Sequence, residues 1–383
     1  MRQNRGSDYL RPYRDDRLTP YIEIDDRRLQ RNLRQMQLKA DEAGVSLRPH
    51  VKTHKSVVIA RRQIAAGAVG ITVSKPSEGV AFIEGGIEDV LLAYPVIIPE
   101  SIRELLVVAA YRRARVSFIV AEPLGVEAIA RAVREQGHNP VTVFVKVDVG
   151  LGRVGVNPHS EDGVTLAGHV ARCPELRFGG LVSHAGHAYG ASGITEIQTI
   201  AKDEATLLRQ LQTRILQHGA VSRCALSTGA TPTALGAPIA PGTDEIRPGN
   251  YALIDLTAIR LGLCQPDDLA MSVVARVVAI NDRYAIIDAG SKALTSDRGP
   301  HGTGAGHWGI AISEHLPLAY TVEKLSEEHG FVPHQGQPPR LGSLMRVFPN
   351  HSCAVMAQFN SWVLRGEDDA GEVMQTEGRG CFL

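Results

Sequence analysis

A chain of 383 residues with 41 Lys and Arg against 41 Asp and Glu is too long for one small core and suggests two domains, with no net charge to draw it to nucleic acid or an anionic membrane. Its 44% apolar content is that of an ordinary soluble globular protein, and no apolar run approaches the ~18 residues of a membrane helix. Cys173, Cys224, Cys264, Cys353 and Cys381 are odd in number and free of CxxC spacing, and residues 1–8 lack the apolar core of a signal peptide, so a reducing cytoplasm is the expected home.

Residues 1–19 are polar and read as an extended arm. From Pro20 onward short β-branched runs alternate with segments at helical spacing, the pattern of βα units and a parallel sheet. Leu29, Leu33, Met36 and Leu38 mark a helix after Asp25-Asp26, ended at Gly44. Strands are expected at residues 45–51, 68–73, 89–93, 116–120, 141–147, 177–182 and 223–226, and the eighth at 252–255 or slightly earlier. A helix or helical turn follows each. Eight strands in about 235 residues match a (β/α)8 barrel, which takes about 250. An open doubly wound sheet is the alternative, but GxGxxG is missing after the first strand. After residue 265 the rhythm turns all-β, with strands expected at 271–280, 284–288, 344–348, 353–359, 362–364 and 372–375, a turn at 366–371, and loops at 302–309 and 333–339. The expected architecture is thus α/β: a barrel over residues 1–265 and a smaller C-terminal β domain over 266–383.

Barrel enzymes keep their chemistry at the C-terminal ends of the strands, and the unusual polar motifs fall there. Lys52 closes strand one; a desolvated lysine can act as a nucleophilic amine, although the same basic decapeptide also reads as a surface turn. The run from Lys146 to Arg153 closes strand five and turns at Gly150 and Gly152. Ser183 to Tyr189, with His184 and His187, closes strand six. Gly229, Thr231, Gly249 and Asn250 lie near strands seven and eight, where barrels commonly bind phosphate through open backbone amides. An amine, an arginine, a flat ring and a phosphate cradle together suit pyridoxal 5′-phosphate (PLP).

Arg48-Pro49-His50-Val51-Lys52-Thr53-His54-Lys55, Gly186-His187-Ala188-Tyr189 and Pro349-Asn350-His351-Ser352-Cys353, in a barrel followed by a β domain, resemble the D-serine dehydratase and D-threonine aldolase branch of the alanine-racemase-type (fold type III) PLP enzymes. The resemblance spans about residues 20–359. It implies that Lys52 rather than Lys55 is the catalytic lysine bonded to the cofactor. It also implies that Tyr189, Thr231, Gly249 and Asn250 contact PLP, that Arg153 lies near its phenolic oxygen, and that His184 faces its ring. Arg247 matches the racemases' pyridine-nitrogen arginine in position, where this branch varies.

His351 and Cys353, two apart on an expected extended segment, would point to one side. Imidazole and thiolate suit a divalent metal, Zn2+ before Mn2+ or Mg2+. Alone, the pair reads as a buried cysteine beside a structural histidine; the resemblance implies metal ligands. Aldolases of the branch tend to carry aspartate in place of the cysteine, so Cys353 leans toward dehydration of D-serine- or D-threonine-type substrates, with retro-aldol cleavage as the alternative. A racemase would need a tyrosine base that residues 291–299 lack, and a PLP carrier would lack the β domain. The family also implies a homodimer.

Overall fold

The computed structural model describes residues 17–316, 318–366 and 371–383. The expected arm over residues 1–16 and most of the turn at 366–371 lie outside them. Two compact units emerge. One holds the described residues up to Arg31, then Ala252–Arg260 and Cys264–Thr376; the other holds Asn32–Tyr251, Leu261–Leu263 and Glu377–Leu383. This differs from a division at 265/266. The first strand, β1 (Tyr21–Asp25), belongs to the β unit, because its edges pair with strands from far along the chain.

The barrel unit contains β2 (Ser46–Leu47), β3 (Ile71–Val73), β4 (Asp89–Pro95), β5 (Arg115–Val120), β6 (Val141–Lys146), β7 (Leu176–Val182), β8 (Ala225–Thr228) and β9 (Glu245–Ile246). These eight strands are parallel, in the order β2-β9-β8-β7-β6-β5-β4-β3. A parallel bridge between His50 and Thr72 brings the two ends of that order together. The eighth strand is therefore earlier than 252–255, since the chain after Asn250 turns into a short 3-10 segment. Alternate residues face the helices: Val90, Leu92, Phe118, Val120, Val143 and Val145 pack into one core with Leu105, Leu106, Ile129 and Val133. The opposite parity points inward, where Leu91, Ile119 and Val182 cluster with Phe144. The helix Asp26–Glu42 forms as expected, burying Leu29, Leu33 and Met36, but Leu38 is 57% exposed and off that face.

The β unit contains β1 with β10 (Met271–Ile280), β11 (Tyr284–Ile287), β12 (Ile310–Ser313), β13 (Ala319–Thr321), β14 (Lys324–Leu325), β15 (Gly330–Pro333), β16 (Leu344–Phe348), β17 (Ser361–Arg365) and β18 (Gly371–Gln375). The path β13-β12-β16-β10-β1-β17-β18 is antiparallel except for β1 against β17. Strands β12 to β15 are short and were not expected from the sequence. The strand expected at 353–359 is instead a short helix, Ser352–Met356, entered from an extended His351. Among the described residues no helix is long and apolar enough to cross a membrane.

Candidate active site

The barrel's first polar turn is built by close backbone packing. Lys52 lies in a 3-10 turn, Val51–Thr53, and its amide donates to Nδ1 of His50 at 3.4 Å. The His50 amide donates to the Pro248 carbonyl at 3.0 Å, tying the turn to the loop beyond β9. Gly249 permits the approach: a Cβ there would sit 2.9 Å from the His50 carbonyl oxygen and 3.1 Å from Thr53 Oγ1. A second tie runs through buried groups. His54 meets Gln63 Oε1 at 3.2 Å, and Gln63 Nε2 donates to the Tyr251 hydroxyl at 3.1 Å. Burial holds the His54 imidazole neutral, down to about 3.

Lys55 has a different role from Lys52. Its ammonium donates to Glu78 at 2.8 Å and to the Gly378 carbonyl at 3.3 Å, and Glu78 is fully buried. The Val57 amide donates to Glu377 at 2.9 Å, so this pair anchors the chain terminus to the barrel. An amine bound to a buried carboxylate is poorly placed to act as a nucleophile.

Around Lys52 the strand ends gather cations. Burial, then Lys52, Lys146, Arg153 and Arg247, hold the His184 imidazole well below its ordinary value. Burial and then Lys52, Arg247, Lys55 and Arg153 do the same to His50. Both rings are thereby neutral. His184 Nδ1 lies 3.3 Å from the Gly229 carbonyl, which assigns the proton to that nitrogen. Tyr189 is half-buried in the 3-10 turn Gly186–Gly190. Arg153 is exposed, at the end of a loop closed by Asp148, whose carboxylate accepts from the amides of Gly150 and Gly152 at 3.0 and 3.1 Å.

Three of the residues expected to contact a phosphate, Thr231, Gly249 and Asn250, lie together. Thr231 Oγ1 accepts from the amides of both Gly249 and Asn250, at 3.2 and 2.9 Å. Two backbone amides gathered at a threonine hydroxyl, within a cationic cluster, are the kind of donor set that suits a phosphorylated anion. Arg247 is buried and committed elsewhere: Nε donates to Ser227 Oγ at 2.7 Å and Nη2 to the carbonyls of Ser183 and Ser227.

Two residues were given no role of their own from the sequence. Lys146, at the end of β6, is buried, and burial pushes its amine down to about 7, Arg247 adding to the effect. Glu204, on the helix Ile194–His218, reads as a solvated helical carboxylate. It is instead 3% exposed and accepts from Ser183 Oγ at 2.6 Å and the Gly229 amide at 3.3 Å. A charged residue ending an apolar strand was the available signal for Lys146; none marked Glu204.

In the β unit, the corner carrying His351 and Cys353 is pinned by its own surroundings. Asp255 accepts from the Ser352 amide at 3.0 Å, and Thr257 Oγ1 donates to the Asn350 carbonyl at 2.7 Å. His351 Nδ1 pairs with Asp297 at 2.6 Å. Burial lowers the imidazole, but the neighbouring Cys353, through its charge and a hydrogen bond, then Asp297 and Asp255, raise it further, to about 10. Cys353 thus reaches His351 although the segment is helical rather than extended. Asp297 comes from the stretch 291–299, 54 positions away, and no local spacing announced it. Among the described residues no cluster of three or more His, Cys, Asp or Glu groups could hold a metal. With Nδ1 held by a carboxylate, however, Nε2 and a thiolate remain as a two-donor set, the arrangement metal-binding histidines commonly use.

Comparison with known proteins gives a consistent picture. The family described as "Alanine racemase, N-terminal domain" matches residues 24–256, and the "Putative serine dehydratase domain" matches 270–364. The D-threo-3-hydroxyaspartate dehydratase of Delftia sp. (strain HT23) is 33% identical over 358 residues, 90% of this chain and 93% of that one. The D-threonine aldolase of Arthrobacter sp. is 31% identical over 344 residues, covering 87% and 85%. Among solved structures, a cysteine-to-alanine mutant of D-threo-3-hydroxyaspartate dehydratase in the metal-free form superposes with a TM-score of 0.85, at 32% identity and 94% and 98% coverage.

Proposed function

Because the chain belongs to the family that joins an alanine racemase N-terminal domain to a serine dehydratase domain, we propose that it is a PLP- and divalent-metal-dependent lyase. It acts on β-hydroxy D-amino acids and dehydrates D-serine- or D-threonine-type substrates to a 2-keto acid and ammonia. The observation that carries the choice of dehydration is Cys353 against His351, with Asp297 on the far nitrogen of the imidazole.

Bound PLP supplies an electron sink for charge developed at the substrate α-carbon. Lys52 Nζ would hold the cofactor and is the amine proposed to move the substrate α-proton; the engagement of Lys55 with Glu78 supports that assignment. The Thr231, Gly249 and Asn250 cradle, with Gly229 beside it, anchors the phosphate. Arg153 and Lys52 supply positive charge, Tyr189 adds a contact, and the neutral His184 offers an uncharged face to a ring. A divalent metal held at His351 and Cys353 would supply Lewis-acid chemistry toward the substrate β-hydroxyl. Asp297 holds His351 Nδ1, so His351 Nε2 and the Cys353 thiolate would hold the ion, a donor set that favours Zn2+ over Mn2+ or Mg2+. The metal-free state named for the related dehydratase mutant supports a metal requirement.

One observation favours a second reading, retro-aldol cleavage to glycine and an aldehyde. His187 has a buried Nδ1 with no hydrogen-bond partner, a candidate base for the β-hydroxyl proton, and the Arthrobacter relative is a D-threonine aldolase. The deciding experiment incubates the protein with D-serine, D-threonine and D-3-hydroxyaspartate and identifies the products. Keto acid with ammonia is expected; glycine with an aldehyde as the main products would replace dehydration by cleavage.

A further inference from the structure

The opposite end of the barrel holds a feature that lyase chemistry does not use. A cavity of about 660 Å³ opens at the N-terminal ends of β4 to β7. Barrel interiors are ordinarily filled by layers of side chains. Here the inward positions Ser117 and Thr142 are small, polar and only half-buried, and the cavity passes them to reach Leu91 and Phe144. Among the described residues neither hydroxyl has a hydrogen-bond partner.

The charge around the mouth is one-sided. Four arginines line the cavity, Arg48, Arg113, Arg115 and Arg177, against one carboxylate, Asp89. Asp89 is already divided between Arg48, at 2.5 Å, and Arg115, at 2.9 Å, and Arg48 also bonds Glu245 at 2.7 Å. Arg113 and Arg177 are exposed, and among the described residues neither guanidinium has a carboxylate or carbonyl partner. Arg113 is held at the rim by its backbone, which ends the helix Arg103–Arg112 in the left-handed conformation (φ +57°). Arg177 enters from the start of β7, directly paired in register with Thr142. Solvent-facing guanidinium groups free of acidic partners at the mouth of a cavity of ligand size, with hydroxyls along its wall and an apolar end, have the composition of a binding site rather than of a sealed floor.

We propose that this cavity is a second binding site, for a small polyanion whose carboxylate or phosphate groups bridge Arg113 and Arg177. Such groups accept the paired N–H donors of arginine in a bidentate manner. The hydroxyls of Ser117 and Thr142 reach the ligand's polar atoms, and Leu91 and Phe144 meet its carbon skeleton. Polycarboxylates and phosphate esters share this chemistry, and the two arms of the test separate them.

The test is isothermal titration calorimetry of the PLP-loaded protein, whose cofactor phosphate cradle is already filled, at about 0.15 M salt so that surface attraction is screened. One arm uses tricarballylate, which lacks the hydroxyl that makes citrate a strong chelator; the other uses fructose 1,6-bisphosphate. Saturable binding of at least one probe, one per chain, is expected, with the tighter probe naming the acid class. The double variant Arg113→Gln/Arg177→Gln should weaken it by about tenfold or more, since each loses a charge-assisted pair. These side chains have no protein partner to lose, so the variant should fold. Arg131→Gln, which removes an arginine paired with Glu135 on an outer helix, should leave binding unchanged. No saturable binding of either probe, or equal binding by the double variant, would overturn the proposal.

Discussion

At the scale of single residues, the two lysines of the first turn are separated by their partners. Lys52→Ala is expected to abolish the borohydride-reducible bond to the cofactor and to lower turnover by about 10³-fold or more. Lys55→Ala should keep that bond but strip the buried Glu78 of its cation, leaving the carboxylate to the Ser74 amide, a loss of about 3–5 kcal/mol that urea unfolding would read. The reverse pattern would exchange the roles. Lys146 gives a pH signature. Burial lowers its folded-state amine to about 7, whereas an unfolded lysine titrates near 10.4. Between these values the unfolded chain binds more protons, so this group makes stability rise with pH from about 7 to about 10. Unfolding free energies at pH 7.5 and 9.5 should rise more in the wild type than in Lys146→Met, in which the contribution is absent. An identical pH dependence in both proteins would show that Lys146 stays charged.

At the scale of elements, the proposed metal-ligand pair, His351 and Cys353, depends on a corner rather than a strand. His351 is extended and the next residue starts a helix, so same-side alternation does not bring Cys353 to it; the corner's bonds to Asp255 and Thr257 do. Asp297 then sets the imidazole. Asp297→Asn is expected to weaken divalent-metal affinity roughly 10- to 100-fold, measured by chelator competition, with PLP binding unchanged. Unaltered affinity would remove Asp297 from the site. The parallel strands and their order of polar ends were legible because alternation and strand length are local properties. The short strands β12 to β15 were not, since segments of two to four residues leave too few positions for a period to show.

At the scale of the whole molecule, the chain passes between units more often than one boundary allows. β1 leaves the N-terminal segment to lie between β10 and β17, and residues 377–383 return to the barrel unit. Loss of β1 is therefore a loss to the β sheet. The family resemblance also leads us to propose a homodimer, so sedimentation equilibrium should give twice the 41.3 kDa chain mass. A stable, active monomer would refute that.

The sequence by itself determined the barrel rhythm and drew attention to Lys52, to Gly229 and Thr231, to Gly249 and Asn250, and to His351 and Cys353, because strand alternation and short motifs are written in neighbouring residues. Only the tertiary structure decided which carboxylates serve them. Glu78 takes Lys55, Glu204 supports the Gly229 turn, and Asp297 reaches His351 across 54 positions. A charged residue looks the same in sequence whether water or a buried partner satisfies it, and only the fold removes the water.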